Sequence, residues 1–231
     1  MSPTSPGPQA PRPQVPTPAL AIIESVEWLV EPCWMGDRLL ARFDSGSVTL
    51  SDQDGAPAPA ELSEAGEVLA SSVDADQAVL DGIWTAMPFV GEGSPARRWA
   101  ETVAKETGSA EPDPVTLERR RAFIAWDLVE LDEQPLNEIP FMERRRLLDS
   151  VIVTNVRVRV SPAVRFPLEG WLAAWRANGF THVVAKHMNS RYTYGGTAAD
   201  WLRIPIEPEP QPTSLSRLFG GRRRKVPPPA R

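Results

Sequence analysis

The chain has 231 residues, of which 42% are hydrophobic, and 25 Lys plus Arg against 30 Asp plus Glu give a formal net charge of −5. This length suffices for one domain with a sizeable core. No apolar run approaches the roughly 20 residues of a membrane span, and the N-terminus lacks the basic-then-apolar pattern of a secretion signal. The single cysteine excludes an internal disulfide framework, so we expect a reducing cytoplasm.

Charge is distributed unevenly along the chain. Residues 44–113 contain 14 acidic and 3 basic side chains, whereas residues 207–231 contain 2 acidic and 6 basic ones. A basic C-terminal half suits a polyanionic partner, although solvated helix faces balanced by the acidic half explain it equally well. Only three lysines occur, which limits any chemistry of a lysine amine to Lys105, Lys186 and Lys225.

The N-terminal segment differs in composition from the rest of the chain. Residues 1–20 hold seven prolines and no apolar periodicity, which predicts a disordered or extended tail. Residues 21–30 are apolar and predict the first ordered element. A hairpin is predicted over 38–50, because turn residues at 44–47 separate two strand-like runs. Apolar residues recur at helical spacing over 60–72, which predicts a helix.

Strands and helices continue to alternate through the remaining residues. Short apolar and β-branched runs predict strands, and capped patterns of period 3.6 predict helices. The predicted strands are 77–84, 121–131, 156–160, 181–186 and 201–206. The predicted helices are 94–108, 140–152 and 168–178, the last with Trp171, Leu172 and Trp175 on one face. Both strands and helices are therefore expected along the chain.

Residues 180–204 carry the clearest indication of a ligand. A buried strand delivers Lys186, which a hydrophobic run rarely carries inward without a partner. A loop with Gly195 and Gly196 follows, and the returning strand carries Arg203. Two strands that bracket a loop and present cations suit an anionic ligand such as a phosphate.

Five stretches resemble, in order, motifs of the adenylation domain of ATP-dependent DNA ligases. Residues 31–42, EPCWMGDRLLAR, resemble a motif close to EPKWDGYRAL, and residues 77–84, QAVLDGIW, resemble AVLDGELV. Residues 121–131, RAFIAWDLVEL, resemble FVAFDLLYL, and an ERR-x-LL helix follows in the same place. Residues 183–186 resemble the end of EGVVAK, and residues 200–202 match the start of DWLKVK. Between these two lie the family's loop residues Ser190, Tyr192 and Gly195.

The resemblance implies an α+β class and a ligase-type nucleotidyltransferase fold, with two antiparallel sheets flanked by helices and a nucleotide cleft between them. In the family a lysine attacks the α-phosphate of ATP and forms a lysyl–adenylate. That lysine position holds Cys33 here, a family aspartate falls at Met35, and a family glutamate falls at Ile83. Formation of the lysyl–adenylate needs an amine nucleophile that is held against a metal-bound phosphate. The neighbours Glu31 and Asp37 are anions and do not favour a reactive thiolate at Cys33.

The family's ligand-binding residues are retained in part. The resemblance implies that Arg38, Trp126, Lys186 and Arg203 form the remnant of an ATP site, although core packing explains Trp126 equally well. It also implies Asp127 as a ligand for Mg²⁺. The basic residues near the C-terminus are candidates for contacts with nucleic-acid phosphates. They are Arg222, Arg223, Arg224 and Lys225.

Three functional hypotheses arise for a ligase-like domain spanning 21–206 and a basic, proline-rich tail at 207–231 that is too short for an OB-fold. The first is a module that cannot form the lysyl–adenylate and acts in DNA repair by binding nucleic acid or a repair protein. The second is an active nucleotidyltransferase that uses Cys33 or groups from a partner subunit. The third is a scaffold that binds no nucleotide.

Overall fold

Two β-sheets pack face to face in the computed structural model, which describes residues 11–21, 23–86 and 121–207. Val79 and Val129 of one sheet are buried against Tyr192 and Trp201 from the loop and strand of the other. The predicted α+β class is therefore confirmed. The predicted helix at 94–108 and most of the two predicted tails lie outside the described residues.

The smaller sheet has four strands. They span Val15–Pro18 (β1), Trp28–Pro32 (β2), His182–His187 (β9) and Thr197–Pro205 (β10). Their order in the sheet is β1-β10-β9-β2. Strand β9 pairs antiparallel with both β2 and β10.

Strand β1 corrects the prediction of a tail over residues 1–20. It pairs in parallel with β10, and Val15 N donates to Gly196 O at 2.9 Å. The proline-rich composition obscured this strand, because proline is excluded from central strands but tolerated at a sheet edge. The other pairings of this sheet are antiparallel, as expected.

The larger sheet contains the other six strands. They span Asp37–Asp44 (β3), Ser47–Asp52 (β4), Gln77–Ala86 (β5), Arg121–Leu131 (β6), Gln134–Pro135 (β7) and Val158–Val160 (β8). Their order is β4-β3-β5-β6-β7, and β8 pairs in parallel with β6. Ser45 and Gly46 have φ of 48° and 89°. Positive φ at both central residues is typical of a two-residue hairpin turn, which confirms the hairpin predicted from the sequence.

Helices cover the outer faces of both sheets. A 3₁₀ turn at Ala60–Leu62 leads into α1 (Ser63–Ala70), and α2 spans Phe141–Val151. Both pack on the outer face of the larger sheet. The third helix, α3 (Glu169–Ala177), covers the smaller sheet. No described helix is long and apolar enough to cross a membrane.

Helix α3 buries fewer aromatic side chains than predicted. Leu168 and Trp175 are buried and Leu172 is partly buried, which forms a stripe of period 3 to 4 against the sheet. Trp171 is 48% exposed. It lies about 100° around the helix from Leu172 and falls at the edge of that stripe.

Candidate functional site

The inner faces of the two sheets meet where the sequence predicts a cleft. Ile83 of β5, Trp126 of β6 and Val184 of β9 are buried in one cluster, and Cys33 and Trp34 pack against it half-buried. Cys33 follows β2 directly, and its backbone N–H donates to His182 O at 3.0 Å. The motifs that carry the resemblance therefore converge, but the wall they form is apolar.

Arg38 lies beside Trp126, as the cleft hypothesis requires, but its guanidinium is already hydrogen-bonded to a carboxylate. Its Nε and Nη2 donate to Asp81 Oδ1 and Oδ2 at 3.0 and 2.7 Å. Its Cζ lies 4.8 Å from the centroid of the Trp126 ring. Burial alone would lower the pKa of Arg38, but Asp81 raises it above its usual value. The guanidinium stays charged, and Asp81 takes the donor fork that would otherwise bind a phosphate.

Tyr192 connects this ion pair to the N-terminal strand. Its hydroxyl donates to Asp81 Oδ2 at 2.8 Å and accepts a hydrogen bond from Gln14 N at 3.1 Å. Gln14 Oε1 accepts from Thr193 N at 2.6 Å. Burial, reinforced by Asp81, raises the pKa of Tyr192 well above its usual value, so its hydroxyl remains a donor. The sequence matched Tyr192 to a family loop but gave it no role.

Lys186 is fully buried between the sheets. Its Nζ donates to Trp126 O at 2.9 Å and lies 3.1 Å from Glu31 Oε1. The same atom lies 4.3 Å from the Trp201 ring centroid. Burial lowers the pKa of Lys186, and Glu31 opposes that shift. This ammonium is already bound by protein groups, and its contact with a phosphate stays a prediction.

Glu31 is the buried counter-ion of Lys186. Burial raises the pKa of Glu31, while Lys186 and Arg145, whose Nη1 is 3.9 Å away, act in the opposite direction. Within the described residues neither carboxylate oxygen accepts a well-aligned hydrogen bond, so its contact with Lys186 is an ion pair of imperfect geometry. The sequence predicts Glu31 only as an anion near Cys33, because its burial depends on the pairing of β2 with β9.

Asp127 forms a second buried ion pair. Arg144 Nε and Nη2 each donate to one Asp127 oxygen at 2.8 Å, and both side chains are fully buried. Asp127 Oδ1 also accepts from Leu128 N at 2.9 Å. These contacts argue against the predicted metal role of Asp127. Across the described ranges no group of three or more His, Cys, Asp or Glu side chains could hold a metal ion.

Arg203 is the predicted cofactor residue that remains accessible. It is exposed on β10 and pairs across the sheet with Val184 of the cleft wall. Directly paired residues point to the same side of a sheet, which places Arg203 on the cleft face. It helps to lower the pKa of His182, for which burial is the larger cause. The four basic residues predicted to contact nucleic acid lie outside the described ranges.

The cleft thus combines an apolar wall with cations of different availability. Arg203 can approach an anion at the rim, and the Trp126 ring lies deeper, only 3% exposed. A planar base could pack against the apolar wall, but Ile83 offers no acceptor for a ribose hydroxyl. Lys186 is the one lysine within the described residues, and it is not positioned as a nucleophile at Cys33.

Comparison with known proteins agrees with this architecture. The family model of the ATP dependent DNA ligase domain matches residues 16–204. The multifunctional non-homologous end joining DNA repair protein LigD of Mycobacterium tuberculosis is 28% identical over 186 residues, which is 80% of this chain and 22% of that protein. A probable DNA ligase of Streptomyces griseus is 26% identical over 144 residues, 58% of this chain and 27% of that one.

Solved structures agree on the fold. A mycobacterial DNA ligase D complexed with ATP and MES has a TM-score of 0.60 at 24% identity, over 84% of this chain and 60% of that one. The ligase domain of M. tuberculosis LigD has a TM-score of 0.58 at 24% identity, over 84% and 58%. These likenesses confirm the ligase-type nucleotidyltransferase fold. The chain spans about a fifth of the length of LigD, 22%. Because the family model covers most of the chain, the protein belongs to the ATP-dependent DNA ligase domain family.

Proposed function

We propose that this protein is a divergent ligase-like module of DNA repair that binds nucleic acid or a repair partner without forming a lysyl–adenylate. The observation that carries the proposal is the position of Lys186. Lys186 is the only lysine within the described residues, and its ammonium is buried against the Trp126 carbonyl oxygen and the Glu31 carboxylate. Cys33 stands in the position that the resemblance gives to the nucleophile.

The chemistry at Cys33 supports loss of the covalent step. Adenylation needs a nucleophile held against an activated phosphate. Cys33 is shorter than lysine and half-buried against Ile83, Trp126 and Val184. A cysteine adenylate would be a phosphothioester rather than a phosphoramidate. The second hypothesis, catalysis by Cys33 or by groups from a partner subunit, therefore needs chemistry that the described residues do not supply.

Reversible nucleotide binding remains part of the proposal. Arg203 provides an exposed cation that suits a phosphate, and Trp126, which is 3% exposed, is the aromatic side chain proposed to pack against the base. ATP is the expected nucleotide, since ATP is bound in the LigD structure of the same fold. Mg²⁺ would accompany the phosphates, bound by them and by water rather than by a protein cluster.

DNA is the proposed macromolecular partner. The LigD relatives are named as DNA repair proteins, and the basic residues 222–225 can neutralise phosphates. A repair protein or a partner subunit is the other class of partner that this proposal includes. The proposed compartment is the cytoplasm, because a chain with a single cysteine has no internal disulfide and suits a reducing environment.

Incubation with α-labelled ATP and Mg²⁺, followed by a denaturing gel, should leave this protein unlabelled. A LigD ligase domain serves as the labelled control. Label on the wild-type chain that disappears in Cys33→Ser would contradict the proposal and support the second hypothesis. Label that appears in the combined variant Cys33→Lys, Met35→Asp, Ile83→Glu would trace the loss to these three positions.

Binding to duplex DNA should weaken steeply between low and physiological salt. In a plot of log affinity against log salt concentration, each neutralised phosphate contributes about 0.9 to the magnitude of the slope. Changing residues 222–225 to glutamine should therefore lower that magnitude by roughly 3 to 4. Fluorescence anisotropy over a salt series measures this. A matched control removes Arg42 and Arg146, exposed arginines paired with Glu130 and Glu143. No binding at any salt would favour the third hypothesis, the scaffold.

A further inference from the structure

A groove on the outer side of the larger sheet is separate from the cleft between the sheets. We name it the α1–β4 groove, and it is lined chiefly by Val48, Leu50, Ala58, Pro59, Gly66 and Ala70. Its volume of about 390 Å³ lies in the range of ligand pockets. Val48, Leu50 and Ala58 form its apolar floor and pack against the core, whereas Ser63 and Glu67 add polar groups to its lining.

The rim of the α1–β4 groove carries two exposed carboxylates. They belong to a stretch, residues 44–76, that contains eight acidic side chains and no basic one. Glu67 lines the groove and Glu61 lies in the 3₁₀ turn beside it, both exposed. Glu64 is paired with Arg157, whereas no described cation pairs with Glu61 or Glu67. An apolar floor with an anionic rim selects an apolar segment flanked by cations.

The chain itself contains such a segment beyond β10. Leu218 and Phe219 are followed by the basic run 222–225. The connection between β5 and β6, residues 87–120, is the longest internal part of the chain outside the described ranges. It holds six acidic and five basic side chains and offers no charge complementarity.

The length of the C-terminal segment limits which parts of the surface it can reach. Fourteen residues lie between Glu207 and Arg222, and three of them are prolines. At about 3.1 Å per residue in an extended proline-rich chain, this stretch spans roughly 45 Å. A domain with a radius of gyration of roughly 16 Å has an outer radius of roughly 20 Å, so the segment can cover more than half of such a surface but not all of it.

We propose that the α1–β4 groove binds the C-terminal segment 215–225 of the same chain. Leu218 and Phe219 occupy the apolar floor, and the basic run 222–225 lies against Glu61 and Glu67. The docking does not depend on the proposed nucleic-acid role. Where both hold, the docked segment and DNA compete for the same four cations, so the groove restrains DNA binding.

Zero-length carbodiimide crosslinking of the full chain tests the docking. Lys186 is fully buried, which leaves Lys105 and Lys225 as the candidate lysine amines. We expect peptide mass spectrometry to find Lys225 joined to Glu61 or Glu67. A mixture of ¹⁴N and ¹⁵N chains should show the crosslink within one isotope. Lys225 joined across isotopes, joined to acids away from the rim, or joined to none would overturn the proposal.

Matched variants separate docking from general charge attraction. The crosslink should survive Glu133→Gln with Glu138→Gln, which removes two exposed acids at a distance from the groove. Leu218→Ser with Phe219→Ser leaves every charge in place, and its crosslink yield should fall about tenfold because two apolar side chains lose their burial. An unchanged crosslink yield in this variant would show that charge alone attracts the segment, and it would overturn the proposed binding of Leu218 and Phe219 in the groove. Added duplex DNA should also lower the yield if the nucleic-acid role holds, whereas a yield insensitive to DNA would contradict that role alone.

Discussion

Arg144→Met is expected to lower the free energy of unfolding by about 3–5 kcal/mol, the range measured when one partner of a buried ion pair is removed. Arg144 donates twice to Asp127, and both side chains are fully buried. Its Nη1 also donates to Ser190 O at 3.0 Å, which ties α2 to the loop after β9. Methionine keeps the apolar stem but leaves the Asp127 charge unpaired. Chemical denaturation monitored by tryptophan fluorescence measures the change.

Arg146 provides the matched control for this experiment. It lies on the same helix and pairs with Glu143, but its side chain is 65% exposed. Arg146→Met should cost less than about 1 kcal/mol, since exposed ion pairs contribute little. The double variant Arg144→Met with Asp127→Leu should recover part of the lost stability, because no unpaired charge remains. Equal costs at positions 144 and 146 would contradict a buried pair.

Arg144 also shows how far the sequence could predict this structure. Phe141, Arg144, Leu148 and Val151 recur at helical spacing and are all buried. The apolar pattern predicts the helix correctly, and Arg144 lies on its buried face. A cation on an apolar stripe was therefore a visible sign of a buried partner. The identity of the partner was not visible, because Asp127 lies 17 residues away on β6.

The architecture was more predictable than the polar interior. Strand alternation and turn chemistry are local, so the hairpin of β3 and β4 follows from the sequence. The contacts of Tyr192 join it to Asp81 and Gln14, which are 111 and 178 positions away. Such pairs form only after the sheets have met. Strand β1 was missed for a related reason, because its proline-rich sequence becomes a strand only at the edge beside β10.

The predicted site residues fall into two groups, charged residues that form ion pairs and residues on the apolar wall between the sheets. Lys186, Arg38 and Asp127 were predicted to bind phosphate or metal, and each is paired with an oppositely charged side chain. A buried charge needs such a partner. The pairs of Lys186 and Arg38 join neighbouring strands within one sheet, and the pair of Asp127 joins α2 to β6. These ion pairs give the three residues a structural role whether or not a ligand binds. Cys33 and Ile83 stand instead on the apolar wall between the sheets.

Lys186→Met should cost more stability at high pH than at low pH. Glu31 keeps its buried position but loses its nearest cation. Burial raises the pKa of Glu31, so the folded state favours the protonated carboxyl. That preference stabilises the fold below the unfolded pKa of about 4.3 and is lost as pH rises through the raised pKa. We expect a deficit of about 3 kcal/mol at pH 8 that shrinks towards pH 5.

Denaturation of wild type and variant at both pH values measures this difference, and a second substitution identifies its source. Lys186→Met with Glu31→Gln removes the titrating carboxyl, so its stability relative to wild type should vary much less between pH 5 and pH 8. Glu27 is a suitable control, because it directly precedes β2 and its exposed side chain lies 3.8 Å from His187 of β9. Lys186→Met with Glu27→Gln should keep the pH dependence of the single variant. A deficit that is constant with pH would mean that Lys186 acts by packing among Trp126, Phe141 and Trp201 rather than by neutralising Glu31.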